Sequence, residues 1–165
     1  SITTGDTPEL KEATLILKKE LEDIGAHVDI KVYGTGELNS LIRSRAYESL
    51  FFGQIVNHES DLFSFWHSSE RFYPGLNLSL YNKKEVDQLI ESIRQNTDPQ
   101  SLKEQFAQLE RAIVNDYPAI FLYSPRYLYV TGKNLEGITS SFLGEPSARF
   151  EMVPQWYVKT KRVLK

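Results

Sequence analysis

Between Ser1 and Val56 the spacing of apolar residues switches from extended to helical and back twice, and this alternation constrains the fold more than any other feature of the chain. Ser1-Ile2-Thr3-Thr4 reads as an opening strand with no leader before it, as expected of a piece of something longer. Asp6-Thr7 then offers a cap, Pro8 suits a first helical position, and Glu9 favours the positive end of the helix dipole. Leu10, Ala13, Leu17, Leu21 and Ile24 follow at helical spacing, and Gly25 offers a left-handed stop. Val28, Ile30 and Val32 alternate with His27, Asp29 and Lys31, the period of a strand with one buried face. A second helix over 37–45 uses Leu38, Leu41 and Ile42. Leu50 to Val56 is a nearly continuous apolar run, expected of a strand covered on both faces. Strand, helix, strand, helix, strand with short connections predicts an α/β fold, a sheet with helices packed against it.

The rhythm breaks over 57–81. Asp61 to Trp66 is expected to make one or two helical turns, and Pro74-Gly75-Leu76-Asn77 reads as turn and loop. A loop this long in a compact domain is either functional or pinned by its own packed cluster. Phe63, Phe65, Trp66, Phe72, Tyr73 and Tyr81 crowd into it. Two readings stay open: a satellite hydrophobic cluster, or a ligand-facing wall in which Trp and Tyr supply flat contact area with a polar handle. Beyond the loop, Asn82 with Glu85 predicts a capping box ahead of Val86, Leu89, Ile90 and Ile93. Asp98-Pro99 opens a longer helix with Leu102, Phe106, Leu109 and Ile113 on one face. Ala119–Tyr123 and Tyr127–Thr131 are expected as strands, followed by a loop-rich tail ending in Trp156-Tyr157-Val158. Val28–Val32, Leu50–Val56 and Ala119–Tyr123 are expected as neighbours in one sheet, with the helices at 8–24 and 99–116 packed on it.

Composition narrows the function. Lys and Arg number 19 against 22 Asp and Glu, and a formal charge of −3 argues against a phosphate-backbone binder. The basic residues are not interleaved with the aromatics, so no nucleic-acid stacking platform is expected. Cysteine is absent, which removes disulfides, thiolate metal sites and a cysteine nucleophile. No apolar run approaches the roughly 18 residues of a membrane span. The three histidines, His27, His58 and His67, form no H-E-x-x-H pair. His58-Glu59-Ser60-Asp61 gathers polar groups, but adjacent positions rarely converge on one ion, so a solvated loop is expected there. No G-x-S-x-G elbow is present. Gly34-Thr35-Gly36-Glu37-Leu38-Asn39 sits where a dinucleotide fingerprint would, yet Asn39 replaces the third glycine and the preceding strand is not the first of the domain. A turn with a helix start is expected, and no cofactor. Lys159, Lys161, Arg162 and Lys165 read as a solvated basic end.

Five stretches, in order, carry a family likeness: Thr7-Pro8-Glu9 with Leu21 to Val28, Ser60 to Ser69, Tyr81 to Ile90, Asp98 to Tyr123, and Arg149-Phe150 with Trp156. Together they resemble the C-terminal lobe of family 5 extracellular solute-binding proteins, the peptide-, nickel- and oligosaccharide-binding components of bacterial ABC importers. The resemblance implies a lobe of a type II periplasmic-binding-protein fold, α/β with a central mixed sheet flanked by helices and the N-terminal lobe absent. Residues 1–126 would be the solute-binding lobe and 127–165 a return segment crossing the hinge. It implies binding rather than catalysis: two lobes close over a small solute, oligopeptides foremost, with permease subunits as partners. The implied location is extracytoplasmic, periplasmic or as a membrane-anchored lipoprotein.

Gln54, Asn57 and Trp66 are the expected ligand contacts, with Tyr81 and Tyr123 behind them. In peptide binders of the family an aspartate just after the strand matching Leu50–Val56 pairs with the peptide amino terminus. Val56 holds that position here, and an apolar residue cannot compensate a buried ammonium; Glu59 or Asp61 would have to substitute. Tyr127, Tyr129, Phe142, Phe150 and Trp156 lie in segments that a full-length relative would bury against its other lobe. A dimer through these aromatics is therefore expected, or a tail that is disordered or swapped. Two rival readings are an autonomous protein-interaction domain and a small enzyme using His58, Glu59 and Asp61.

Overall fold

Ile2-Thr3-Thr4-Gly5 is buried along its whole length and forms β1 (Ile2–Gly5), the middle strand of a three-stranded sheet in the computed structural model. The described residues are 1–54, 62–125, 128–139 and 146–160. They fall into two units, one drawn from 1–54 and 62–120, the other from 121–160. In the first, β1 pairs in parallel with β2 (Ile30–Tyr33), Ile2 opposite Ile30 and Gly5 opposite Tyr33. On its other side β1 pairs in parallel with β3 (Ser49–Leu50), Ile2 opposite Ser49. The ladder continues past β3, because Phe51 N–H donates to Thr3 O at 2.8 Å and Thr4 Oγ1 to Phe51 O at 3.1 Å. The strand expected at 50–56 is thus in the sheet only as far as Phe51 among its described residues, and it and the 28–32 segment flank β1 instead of each other. Every described pairing in this sheet is parallel.

A strand buried on both faces needs cover on both, and α1 (Pro8–Asp23) and α2 (Thr35–Ser44) both pack on β1. Thr7 caps α1 by accepting from Leu10 N–H, and Pro8 follows in the first turn. Thr14, fully buried on the inner side of α1, returns its hydroxyl to Leu10 O at 2.6 Å. Gly5 eases the packing at the end of β1, where a Cβ would press on the Leu10 side chain at 3.2 Å and touch Leu38 at 3.5 Å.

After the short helix α3 (Phe63–Trp66) and a long loop come α4 (Lys84–Gln95) and α5 (Pro99–Asp116). These two enclose a second core of Val86, Ile90, Ile93, Leu109 and Ile113. Each such side chain contributes about 1.5–3 kcal/mol by leaving water. The helix expected at 99–116 therefore packs on α4, where the sequence reading put it on the sheet. Asp98 caps α5 as expected, accepting from Ser101 N–H at 2.8 Å. The capping box at Asn82 and Glu85 does not form; Lys83 holds the N-cap position and makes no side-chain cap. Its ammonium is engaged elsewhere, with Asp116.

Ala119–Tyr123 is not a strand. Tyr117 ends α5 in the left-handed conformation (φ 52°), Pro118 follows, and the chain then runs irregularly with Ile120 74 % exposed and Phe121 65 % exposed. A continuous apolar run asks for burial without naming what supplies it, and among the described residues no strand pairs with this one. Tyr129 to Thr131 is likewise irregular, and Tyr127 lies outside the described residues. In the second unit β4 (Leu135–Glu136) pairs antiparallel with β5 (Tyr157–Val158), tied by Lys159 Nζ to Glu136 Oε1 at 2.7 Å. Tyr129 and Phe150 each stand 6.2 Å from Trp156, centroid to centroid. No helix among the described residues is long and apolar enough to cross a membrane.

Candidate functional site

Parallel strands deliver all their carboxyl ends to one edge of the sheet, and the loops leaving them converge there. Here those loops are Asp6–Thr7 after β1, Gly34 after β2 and Phe51–Gln54 after β3. The chain passes from β1 to β2 on one side and returns to β3 on the other, so the loops after β1 and β3 part. Such a reversal point is where open α/β sheets leave a crevice. Both α1 and α2 begin at this edge and turn their unpaired N–H groups toward it. Gly34, the N-cap of α2, lies beside Asp6: a Cβ at Gly34 would sit 3.9 Å from Asp6 Oδ2. Along the sequence these turns are only helix starts; the parallel register makes them a rim.

Gln54 stands on this rim, exposed, with Nε2 donating to Leu76 O at 3.2 Å. It is one of several side chains that fasten the loop between α3 and α4 by its carbonyls. Arg45 donates to Arg71 O at 2.9 Å, to Gly75 O at 2.7 Å and also to Ile42 O. Tyr47 donates its hydroxyl to Leu78 O at 2.7 Å. Burial raises the pKa of that hydroxyl, while Arg45 works in the opposite direction. Gly75 admits no side chain, because a Cβ would lie 2.1 Å from Glu70 O. Asn77, wholly buried, donates to His67 O and Tyr81 O and accepts from Tyr81 N–H and Ser79 Oγ.

The loop's aromatics divide. Phe63, Trp66 and Tyr81 pack against the α4–α5 core, with the Trp66 and Tyr81 rings edge to face at 6.3 Å. Phe72 and Tyr73 face outward. The packed-cluster reading thus holds for Phe63, Trp66 and Tyr81, and Phe72 and Tyr73 stand outside that cluster. Tyr81 donates its hydroxyl to Asp116 Oδ2 at 2.5 Å, and Lys83 Nζ reaches both Asp116 oxygens at 2.8 and 2.7 Å. Burial first, and the Asp116 hydrogen bond second, push the Tyr81 hydroxyl well above the usual phenol range. Lys83, then Tyr81, hold the Asp116 carboxyl below its ordinary value. His67 stacks on Phe63 at 4.1 Å, accepts from Ser69 N–H on Nδ1 and turns Nε2 toward Glu91 at 3.4 Å. It joins the loop to α4. Among the described residues no group of three or more His, Asp or Glu is placed to hold a metal ion.

Of the expected contacts, Trp66 and Tyr81 come together and Gln54 stands at the rim. Tyr123 is exposed and belongs to the second unit. Asn57 lies outside the described residues, as do Val56, His58, Glu59 and Asp61. Asp6 and Gly34, absent from the sequence reading of the site, were signalled only by the strand-to-helix turns that hold them.

No protein-family model and no curated sequence matches the chain. Solved structures do. The oligopeptide-binding protein AppA from Bacillus subtilis, in complex with a nonapeptide, superposes with a TM-score of 0.74 at 20 % identity, over 96 % of this chain and 31 % of that one. The fold is that of a solute-binding-protein lobe. AppA from Clostridium difficile gives 0.73 at 19 % identity, over 96 % and 33 % of the two chains. NikZ from Campylobacter jejuni, in complex with Ni(L-His), gives 0.70 at 20 % identity, over 96 % and 33 %. The chain therefore spans about a third of the length of each. The family likeness read from the sequence holds at the level of the fold, and these matches are binding proteins.

Proposed function

We propose that this chain is one lobe of the solute-binding component of an ABC importer. In this reading a second lobe closes over the crevice at the carboxyl edge of β1–β3. The observation that carries it is the convergence of Asp6, Gly34 and Gln54 on that edge, in a fold shared with an oligopeptide-binding protein over 96 % of the chain. A rigid rim of backbone N–H groups and a few polar side chains suits recognition of an extended, hydrogen-bonding solute, and oligopeptides are the class we assign. Gln54, Asn57 and Trp66 are the assigned contacts, with Tyr81 and Tyr123 secondary. Tyr81 serves through its ring, since its hydroxyl is already spent on Asp116. Residues 127–165 act as the return segment, permease subunits are the partners, and the setting is extracytoplasmic.

Calorimetry of the two-lobed protein with a mixed oligopeptide pool tests this. We expect peptide binding that Gln54→Ala weakens about tenfold, or about 1.4 kcal/mol. Absence of any peptide binding, with nickel–histidine bound instead, would overturn the assigned class.

A further inference from the structure

Next to the crevice rim, the loop from Phe72 to Leu76 combines two properties that rarely coincide. Its side chains are exposed, Phe72 by 67 %, Tyr73 by 59 % and Leu76 by 46 %. Its backbone is nevertheless fastened at two of its own carbonyls, by Arg45 at residue 75 and Gln54 at 76, and at two flanking ones, by Arg45 at 71 and Tyr47 at 78. A partner meeting this loop finds aromatic surface already ordered, so little conformational entropy is lost on contact. Arg43 stacks over the Tyr73 ring at 5.0 Å and Arg71 over the Phe72 ring at 5.7 Å.

Among the described residues none of Arg43, Arg45 and Arg71 has a carboxylate at ion-pair distance, although the chain as a whole is acidic. The three guanidiniums of this corner thus have no carboxylate partner among the described residues. Exposed aromatics with stacked arginines are the residue types that dominate binding energy at protein interfaces.

We propose that the Phe72–Leu76 loop is a docking surface for a protein segment that sets apolar side chains among carboxylates. Charge complementarity selects that partner, because carboxylates would meet Arg43 and Arg71 while apolar groups cover Phe72 and Tyr73. A nucleic acid fits less well, since tracking its backbone needs a run of cations and this chain carries a net −3. The inference stands apart from the solute reading: the loop lies beside the crevice, and it could serve a partner whichever solute the crevice takes.

The probe is a short labelled peptide alternating Glu with Phe and Leu, followed by fluorescence anisotropy on the 165-residue chain. Two controls accompany it, the same peptide with Lys for Glu, and an oligothymidylate. At an ionic strength of about 0.15 M, where only close charges count, the acidic peptide should bind about tenfold or more tighter than either control. Arg43→Glu and Tyr73→Ser should each weaken it about tenfold with unchanged circular dichroism, while Asp6→Ala, at the crevice rim and away from the loop's fastenings, leaves it intact. Phe72→Ser replaces either variant that fails to fold. Equal binding of the acidic and basic peptides, or tighter binding of oligothymidylate, overturns the proposal. So does loss in Asp6→Ala equal to that in Arg43→Glu, which would place the peptide in the crevice. A dimer that Arg43→Glu dissociates in light scattering overturns it too, by making a second copy the occupant.

Discussion

Asn77 is wholly buried, and its amide spends both ends on the loop around it, joining His67 and Tyr81 across the turn. Asn77→Ala would leave buried backbone groups without partners, a loss of about 2–4 kcal/mol read from urea unfolding. The sequence marks this residue only as a turn former, because its partners are backbone atoms that no side-chain pattern announces. The Tyr81–Asp116–Lys83 group is as hidden, with Lys83 and Asp116 separated by 33 positions in the chain. Its titration has a definite sign at each end. Asp116 is held below its ordinary pKa, so its contribution is present above the unfolded carboxyl range and lost as pH falls below about 4. Tyr81 is raised above 10.0, so its contribution is present below pH 10 and lost as pH rises further. Tyr81→Phe should therefore remove part of the alkaline decline in melting temperature, and Asp116→Asn part of the acid decline. A variant whose alkaline decline matches the parent would show that the hydroxyl is not the titrating group.

Among the elements, those with long periodic stretches are legible in the sequence. The spacing of Val86, Ile90 and Ile93 against Leu109 and Ile113 is enough to name both faces of the α4–α5 pair. Leu109→Ala should cost about 2–5 kcal/mol, since the site is enclosed and cannot collapse, whereas Asp98→Ala should cost about 1 kcal/mol through its cap. Equal losses in the two variants would contradict the view that packing outweighs capping here. What periodicity cannot give is which element meets which. It correctly finds apolar faces on 99–116 and an apolar run at 119–123, and pairs the wrong partners to them. The N-terminus of α4 fails for a related reason: Lys83 stands where a capping residue would, drawn by a carboxylate far along the chain. The crevice rim was half legible, through turns that look ordinary until β1 is seen between β2 and β3.

At the scale of the whole molecule, surface left uncovered is the informative feature. Ile120, Phe121, Tyr123, Leu128 and Val130 are each more than half exposed, an apolar stretch unlike scattered surface residues. The solved structures with this fold are about three times as long, so they have chain to spare for covering such a stretch. A crevice closed by one lobe alone also leaves a solute half hydrated, and affinity depends on the surplus after desolvation and ordering costs. Two outcomes follow for the 165-residue chain. It should bind oligopeptides far more weakly than a two-lobed protein, in calorimetry at matched concentrations. It should also self-associate, giving a light-scattering mass above 19.0 kDa that falls when Phe121 and Leu128 are both changed to Ser. If instead the chain is monomeric and the double variant unchanged, then these five side chains are surface tolerated for its own sake. The exposed Phe72–Leu76 loop would then be the better guide to what the protein does, because its aromatic side chains stand out on a backbone fastened by Arg45 and Gln54.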